Sequence, residues 1–371
     1  MKKELLLLFA LLPGIFACGQ DVDRNIVTPG KADYTYETVV PDMISPWGMV
    51  FLPDGSMLIT ERGGDLILFK NGKKTLIENP PKVWVRGQGG LLDLELHPDY
   101  KRNGWIYISY SSPEGGSGGN TAIMRAKLSG NKLTDQQVLY KASPNSGAGQ
   151  HFGSRLEFDR DGYLYFSVGD RFNRDVNPQD ITRDCGKIYR IHDDGRIPAD
   201  NPFAREAGAK KAIYSYGHRN PQGLAMHPET GRIWETEHGP RGGDEINIIA
   251  PGKNYGWPKI TYGINYNGTK ITDKTAMPGM EQPFHYWVPS IAPSGMTFVT
   301  SDRYPDWKGN LLVGSLRFMH LERCVLSDNA VTYREKVLAD IGRVRNVRQG
   351  LDGYLYVAVE GKGVLKIIPG S

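Results

Sequence analysis

From Tyr34 onward, short runs alternate apolar and polar residues, and Gly or Asp-Gly punctuates them. Tyr163-Leu164-Tyr165-Phe166, directly after Asp161-Gly162, is one example. Alternation with period two puts successive side chains on opposite faces of a strand, and Asp-Gly is a turn that joins two such strands. The theme recurs in residues 51–73, 96–110, 158–171, 226–257, 304–328 and 350–370. Its anchors, Asp54, Asp99, Asp161, Glu229, Asp306 and Asp352, are 45 to 77 residues apart. A unit of four short strands repeating at such spacing is a propeller blade. The pattern therefore predicts an all-β fold, a six-bladed β-propeller of four-stranded antiparallel blades. The sixth repeat reaches the C-terminus with only part of a blade, and the strand-like segment Tyr34–Val40 is expected to complete it. No break in the pattern divides residues 34–371. The longer intervals mark insertions in the third and fourth blades, and loops on a rigid scaffold commonly carry function.

Composition narrows this. Gly and Pro make up about a fifth of the 371 residues, which disfavours a helical bundle, and 39% hydrophobic residues suffice for a large core. A net charge of +4, with no Lys/Arg-rich run, gives no case for nucleic acid. Lys2 and Lys3 precede an apolar stretch from Leu5 to Ala17, so residues 1–17 read as an export signal. The Ala17-Cys18 junction is similar to a bacterial lipoprotein signal, in which Cys18 would carry lipid. Plain cleavage after Ala17 is the alternative. Residues 18–33 read as a polar linker. The expected location is the periplasm or the outer envelope, with the membrane touched only through Cys18. Cys185 and Cys324 form neither a disulfide framework nor a metal motif and are expected as buried thiols.

Polar residues cluster in the turns beside the predicted inner strands. Arg343 and Arg345 are two apart, so on a strand they point the same way and repel unless an anion lies between them. Solvated arginines on an outer strand are the plain alternative. Gly239-Pro240 exposes carbonyl oxygens that suit a hard cation such as Ca²⁺, with Glu245 and Tyr255 close behind in sequence; a simple turn is the alternative. His151 follows a loop of small residues, and imidazole takes a proton near neutral pH. His97 and His227 lie in His-Pro turns and read as structural. These patterns define a propeller with a polar mouth and leave its reaction open.

Six separated motifs, GQGGLLDLELHPDY, HFGSRLEF, YGHRNPQGLAMHP, EHGPRGGDEIN with NYGWP, YWVPSIAPSGM and RVRNV, occur in order over residues 35–368. Together they resemble the soluble pyrroloquinoline-quinone (PQQ)-dependent aldose sugar and glucose dehydrogenases of the glucose/sorbosone dehydrogenase type. The resemblance implies a six-bladed propeller that oxidises aldoses at the anomeric carbon to lactones and passes electrons to an external acceptor. It implies His151 as the general base and Arg219 as the group polarising the quinone. It implies Gln88, Arg219, Asn220, Tyr266, Arg317, Arg343 and Arg345 as cofactor ligands, and Trp287 as an aromatic covering the substrate. It implies Gly239 and Pro240 as ligands of the cofactor's Ca²⁺, and Glu245 and Tyr255 as ligands of a structural Ca²⁺. Arg317 stands where family members often have Lys, and Arg171 stands where the glucose-specific branch has Gln. Thr261, Gly263 and Asn265 supply no acidic ligand of the kind that branch uses. These differences favour a broad aldose enzyme. The rival readings are a Ca²⁺-dependent propeller lactonase or hydrolase, and a non-catalytic envelope propeller.

Overall fold

The protein, seen here as a computed structural model, is described over residues 28–29 and 34–370. The export signal, Cys18 and most of the linker lie outside the described residues. Five blades are built in chain order from consecutive strands. The first runs from Pro46–Phe51 to Lys73–Leu76, the second from Leu91–Leu96 to Lys132–Lys141, and the third from Leu156–Phe158 to Ile213–Tyr216. The fourth runs from Pro221–Met226 to His285–Trp287, and the fifth from Pro293–Phe298 to Ala330–Val337. The sixth combines Val344–Gln349, Leu355–Val359 and Gly363–Pro369 with the N-terminal strand Tyr34–Pro41. That strand pairs antiparallel with Gly363–Pro369, Tyr34 opposite Pro369 and Pro41 opposite Gly363. The first and last strands thus share a blade, so opening the ring would require breaking a hydrogen-bonded ladder. Backbone at Thr28–Pro29 also pairs, in parallel, with the outer strand of the fifth blade.

The recurring acidic anchor, Asp in five blades and Glu229 in the fourth, sits between the first and second strand of each blade, at the opposite end from the site described below. Six apolar clusters fill the gaps between neighbouring blades. Leu58, Leu94 and Ile106 join the first two blades, and Leu312, Val344 and Val357 join the last two. The third-to-fourth gap has the smallest of the six clusters and also carries a nest of buried carboxylates.

The inner strands crowd around the axis. A Cβ on Gly48 would lie 2.7 Å from Asp93 Oδ1, and one on Gly295 would lie 2.6 Å from Asn346 Oδ1. Only glycine lets these strands approach so closely. Five inner strands carry a register shift near the end where the chain enters them, at Pro46/Met49, Leu91/Leu94, Pro221/Gly223, Pro293/Met296 and Val344/Asn346. Such bulges bend the strand and re-aim side chains, and here they form the rim of one mouth. Among the described residues no helix is long and apolar enough to cross a membrane. Cys185 and Cys324 are buried and unpaired, as expected.

Candidate active site

The loops entering the inner strands converge on this mouth. Gln88 precedes the second inner strand, His151 the third, Arg219 and Asn220 the fourth, and Arg343 the sixth, which itself carries Arg345. The returning second strands end at the same place and deliver Asp170, Gly239 and Pro240.

His151 has φ +57°, a left-handed conformation unusual for a residue with a Cβ. Two contacts hold it there. Its backbone N–H donates to Gln88 Oε1 at 2.8 Å, and its Nδ1 lies 2.6 Å from Asp170 Oδ1. Asp170 is itself fixed, because its Oδ2 accepts from Trp257 Nε1 at 2.9 Å and its Oδ1 accepts from the Phe172 N–H at 2.8 Å. Burial lowers the His151 pKa, and the nearby Arg219 charge lowers it further, against the pull of Asp170. Burial alone would raise Asp170, yet hydrogen bonding and charge from His151, with Arg219 and Trp257, hold its carboxyl below the usual range. The neutral imidazole donates a hydrogen bond from Nδ1–H to the Asp170 carboxylate, which leaves Nε2 as the base.

His151 lines a cavity of about 320 Å³ with Asp170, Phe172, Arg219, Pro240, Trp257 and Tyr266. Arg219 Nη1 donates to the carbonyls of His238 at 3.0 Å and Gly239 at 2.8 Å. Its backbone and that of Asn220 donate to Glu237 Oε2, at 2.5 and 3.2 Å. Asp244 fixes the other side by accepting from Gly239 N–H at 2.8 Å. A Cβ at Gly239 would lie 2.2 Å from Gly243 backbone, so this turn admits only glycine.

A second cavity of about 160 Å³ lies across the His151 loop, lined by Arg62, Gln88, Gly153, Gln222, Arg343, Arg345 and Glu360. Both arginines do point the same way, and a carboxylate lies between them. Glu360 accepts from Arg343 Nε at 2.7 Å and from Arg345 Nη2 at 2.6 Å. One carboxylate faces three guanidiniums, so the cavity keeps an excess of positive charge. Between the cavities Asn220 is fully buried. Its Oδ1 accepts from Gly153 N–H at 3.1 Å, while its Nδ2 has no hydrogen-bond partner. A buried donor left unmet is costly. With the excess of Arg, it suits a planar, polyanionic, oxygen-rich group, so the residues present fit a quinone carrying carboxylates.

Some expected residues stand elsewhere. Trp287 is 1% exposed, packs between the fourth and fifth blades, and donates Nε1–H to Glu322 Oε1 at 2.7 Å. It does not line either cavity, so the expectation that it covers the substrate is corrected. On the strand His285–Trp287 the indole faces inward, and a partner on the next blade holds it there. Arg317 is exposed on the loop after Leu311–Ser315, its guanidinium 5.2 Å from the Phe318 ring. It lines neither cavity, although the adjoining Leu316 carbonyl accepts from Arg343 at 3.1 Å. Tyr266 lines the first cavity but is 70% exposed.

Glu245 belongs to the carboxylate nest. Asn247 Nδ2 lies 2.9 Å from Glu235 Oε1, 3.4 Å from Glu237 Oε1 and 3.1 Å from Glu245 Oε2. His218 Nδ1 lies 3.1 Å from Glu237. Burial pushes Glu235 up to about 8 and Glu245 well above its ordinary value. Burial opposes the charge on His218, but Glu235 and Glu237 outweigh it and raise its pKa to about 9. Glu235 Oε2 and Asn247 Oδ1 have no hydrogen-bond partner. An oxygen-rich set with unmet acceptors fits a hard divalent cation beside Glu245. The Tyr255 phenol is already committed, donating to Ile248 O at 2.7 Å and accepting from Ala250 N–H at 3.0 Å. Only the Tyr255 carbonyl remains as a ligand atom.

The sequence pattern assigns no role to Asp170, Glu237, Asp244 or Glu360, because each takes its role from a partner that folding brings to it.

A family model described as "Glucose / Sorbosone dehydrogenase" matches residues 43–366. The Escherichia coli aldose sugar dehydrogenase YliI is 44% identical over 348 residues, covering 91% of this chain and 94% of that protein. Quinoprotein glucose dehydrogenase B of Acinetobacter calcoaceticus is 32% identical over 298 residues, 70% of this chain and 61% of that one. The apo structure of the E. coli soluble aldose sugar dehydrogenase superposes with TM-score 0.88 at 42% identity, covering 91% and 99% of the two chains. The PQQ-bound aldose sugar dehydrogenase of Streptomyces coelicolor superposes with TM-score 0.74 at 29% identity, covering 92% and 99%.

Proposed function

The chain belongs to the glucose/sorbosone dehydrogenase family and is a quinoprotein sugar dehydrogenase, and from that premise we propose that it oxidises aldoses at the anomeric carbon to lactones. The observation that carries the reading is the oriented His151–Asp170 pair beside an Arg-rich cavity at one propeller mouth. PQQ, when bound, would supply the acceptor for the hydride of the anomeric carbon. His151 Nε2 takes the proton of the anomeric hydroxyl, so one hydride and one proton leave and a carbonyl forms. Asp170 holds the imidazole in the tautomer that exposes Nε2 and stabilises the imidazolium as it forms. Arg219 brings positive charge where oxygen becomes negative, and the His238 carbonyl helps to hold its guanidinium.

Gln88, Asn220, Arg343 and Arg345 would hold the cofactor's polar edge, with Tyr266 at the rim. The Gly239 and Pro240 carbonyls would hold its Ca²⁺, and Glu245 with the Tyr255 carbonyl a second, structural Ca²⁺. The electrons would leave to a separate acceptor. Export through residues 1–17, either with lipid on Cys18 or by plain cleavage after Ala17, completes the proposal. The hydrolase and binding-module readings gain nothing from a mouth whose charge excess is basic.

The test is dye reduction by purified protein given PQQ and Ca²⁺, with a panel of aldoses. Turnover that needs both additions supports the proposal; no turnover with any aldose overturns it.

A further inference from the structure

Phe172 is 64% exposed and lines the same cavity as His151. What sets it apart from other exposed apolar side chains is that its ring is presented inside the cavity, beside the His151 imidazole. The backbone is also held unusually. Arg171 has φ +55° and Phe172 has φ +59°, a left-handed conformation that disfavours bulky side chains.

Two anchors enforce it. The Phe172 N–H donates to Asp170 Oδ1 at 2.8 Å, the same oxygen that meets His151 Nδ1. The preceding Arg171 is 2% exposed, and its Nη2 donates to Ala148 O at 2.6 Å and Gly119 O at 3.2 Å. The Arg171 guanidinium lies 3.5 Å from the centre of the Phe152 ring. The turn is therefore pinned, and the ring it presents stands 5.7 Å from the His151 imidazole at an interplanar angle of 68°.

We propose that Phe172 is the stacking platform for the sugar ring, and that it makes the site favour aldoses in their pyranose form over short open-chain aldehydes. This rests on the sugar dehydrogenase reading. A pyranose has C–H-rich faces and hydroxyls around its edge. A sugar whose anomeric hydroxyl meets His151 Nε2 lies within reach of the exposed ring. Aromatic rings take apolar faces by such packing, and a few polar groups then fix orientation. Asn173 and Asp175 line the cavity next to Phe172 and supply polar partners for the edge.

Phe172→Asn removes the ring while keeping a residue that tolerates the left-handed backbone, and Phe172→Tyr keeps the ring. With the PQQ- and Ca²⁺-loaded enzyme, KM for glucose should rise about fivefold in the Asn variant while kcat stays within about twofold. KM for glyceraldehyde should not move, and the Tyr variant should restore the glucose KM. An unchanged glucose KM, a parallel rise for both substrates, or a fall in kcat alone would overturn the platform. Calorimetric titration of glucose into both proteins separates the two readings. If wild type binds glucose but oxidises nothing, the reaction fails while the Asn variant's weaker binding keeps the platform. Equal binding by wild type and the Asn variant removes the platform whatever the turnover.

Discussion

Asp170→Asn probes the oriented base. Asp170 Oδ1 lies 2.6 Å from His151 Nδ1 inside the protein, and burial and the Arg219 charge already push the imidazole pKa down. A hydrogen bond to a buried charge is worth about 1.5–3 kcal/mol. At roughly tenfold per 1.36 kcal/mol, its loss lowers kcat by about 10- to 150-fold. An amide can also donate to Nδ1 and so place the imidazole proton on Nε2, removing the base. Tautomer reversal of this kind costs about 10⁴-fold in serine-protease triads. A kcat loss of about a hundredfold or more is therefore expected. The pH profile carries a sign as well. The base must be neutral to act, so activity rises with pH through its pKa. Asp170 opposes the depression of that pKa, so removing its charge moves the acidic limb to lower pH while the plateau falls. Steady-state dye reduction from acid to neutral pH, with PQQ saturation confirmed by absorbance, reads both. An unchanged plateau, or a limb moving to higher pH, refutes the argument.

Arg345→Gln should weaken PQQ binding about 10- to 100-fold, because this guanidinium is largely buried. Arg343→Gln should weaken it less, since its side chain is half exposed and solvent screens its charge; fluorescence titration of PQQ distinguishes them, and equal losses would contradict the ranking. Ca²⁺ should raise Tm by several degrees at about a hundred times Kd, and Glu245→Gln should remove most of that rise in a thermal melt. An undiminished rise would take Glu245 out of the cation site.

The blades were legible because turn chemistry and period-two alternation are local, and six copies of the same local signal reinforce one another. Arg343 and Arg345 were legible as a pair because two residues on a strand share a face. What lay between them was not, since Glu360 comes from the other end of the blade's second strand and meets them only after folding. Asp170 was hidden for the same reason: its importance comes from His151, 19 positions away, and Trp257, 87 positions away. Trp287 shows the opposite error. Alternation says that His285 and Trp287 share a face but not whether that face is the mouth or the blade interior. The Glu322 carboxylate on the neighbouring blade decides it. Phe172 could not be read at all, because an exposed aromatic in a turn has no periodic signature.

The most direct measurement is single-turnover reduction of bound PQQ by glucose carrying hydrogen or deuterium at the anomeric carbon, in wild type and His151→Gln. The account predicts slower reduction with the deuterated sugar in wild type. It predicts PQQ still bound, but reduced at least about a hundredfold more slowly, in the variant. Equally fast reduction in His151→Gln, or no isotope dependence when the reduction step itself is observed, would contradict it.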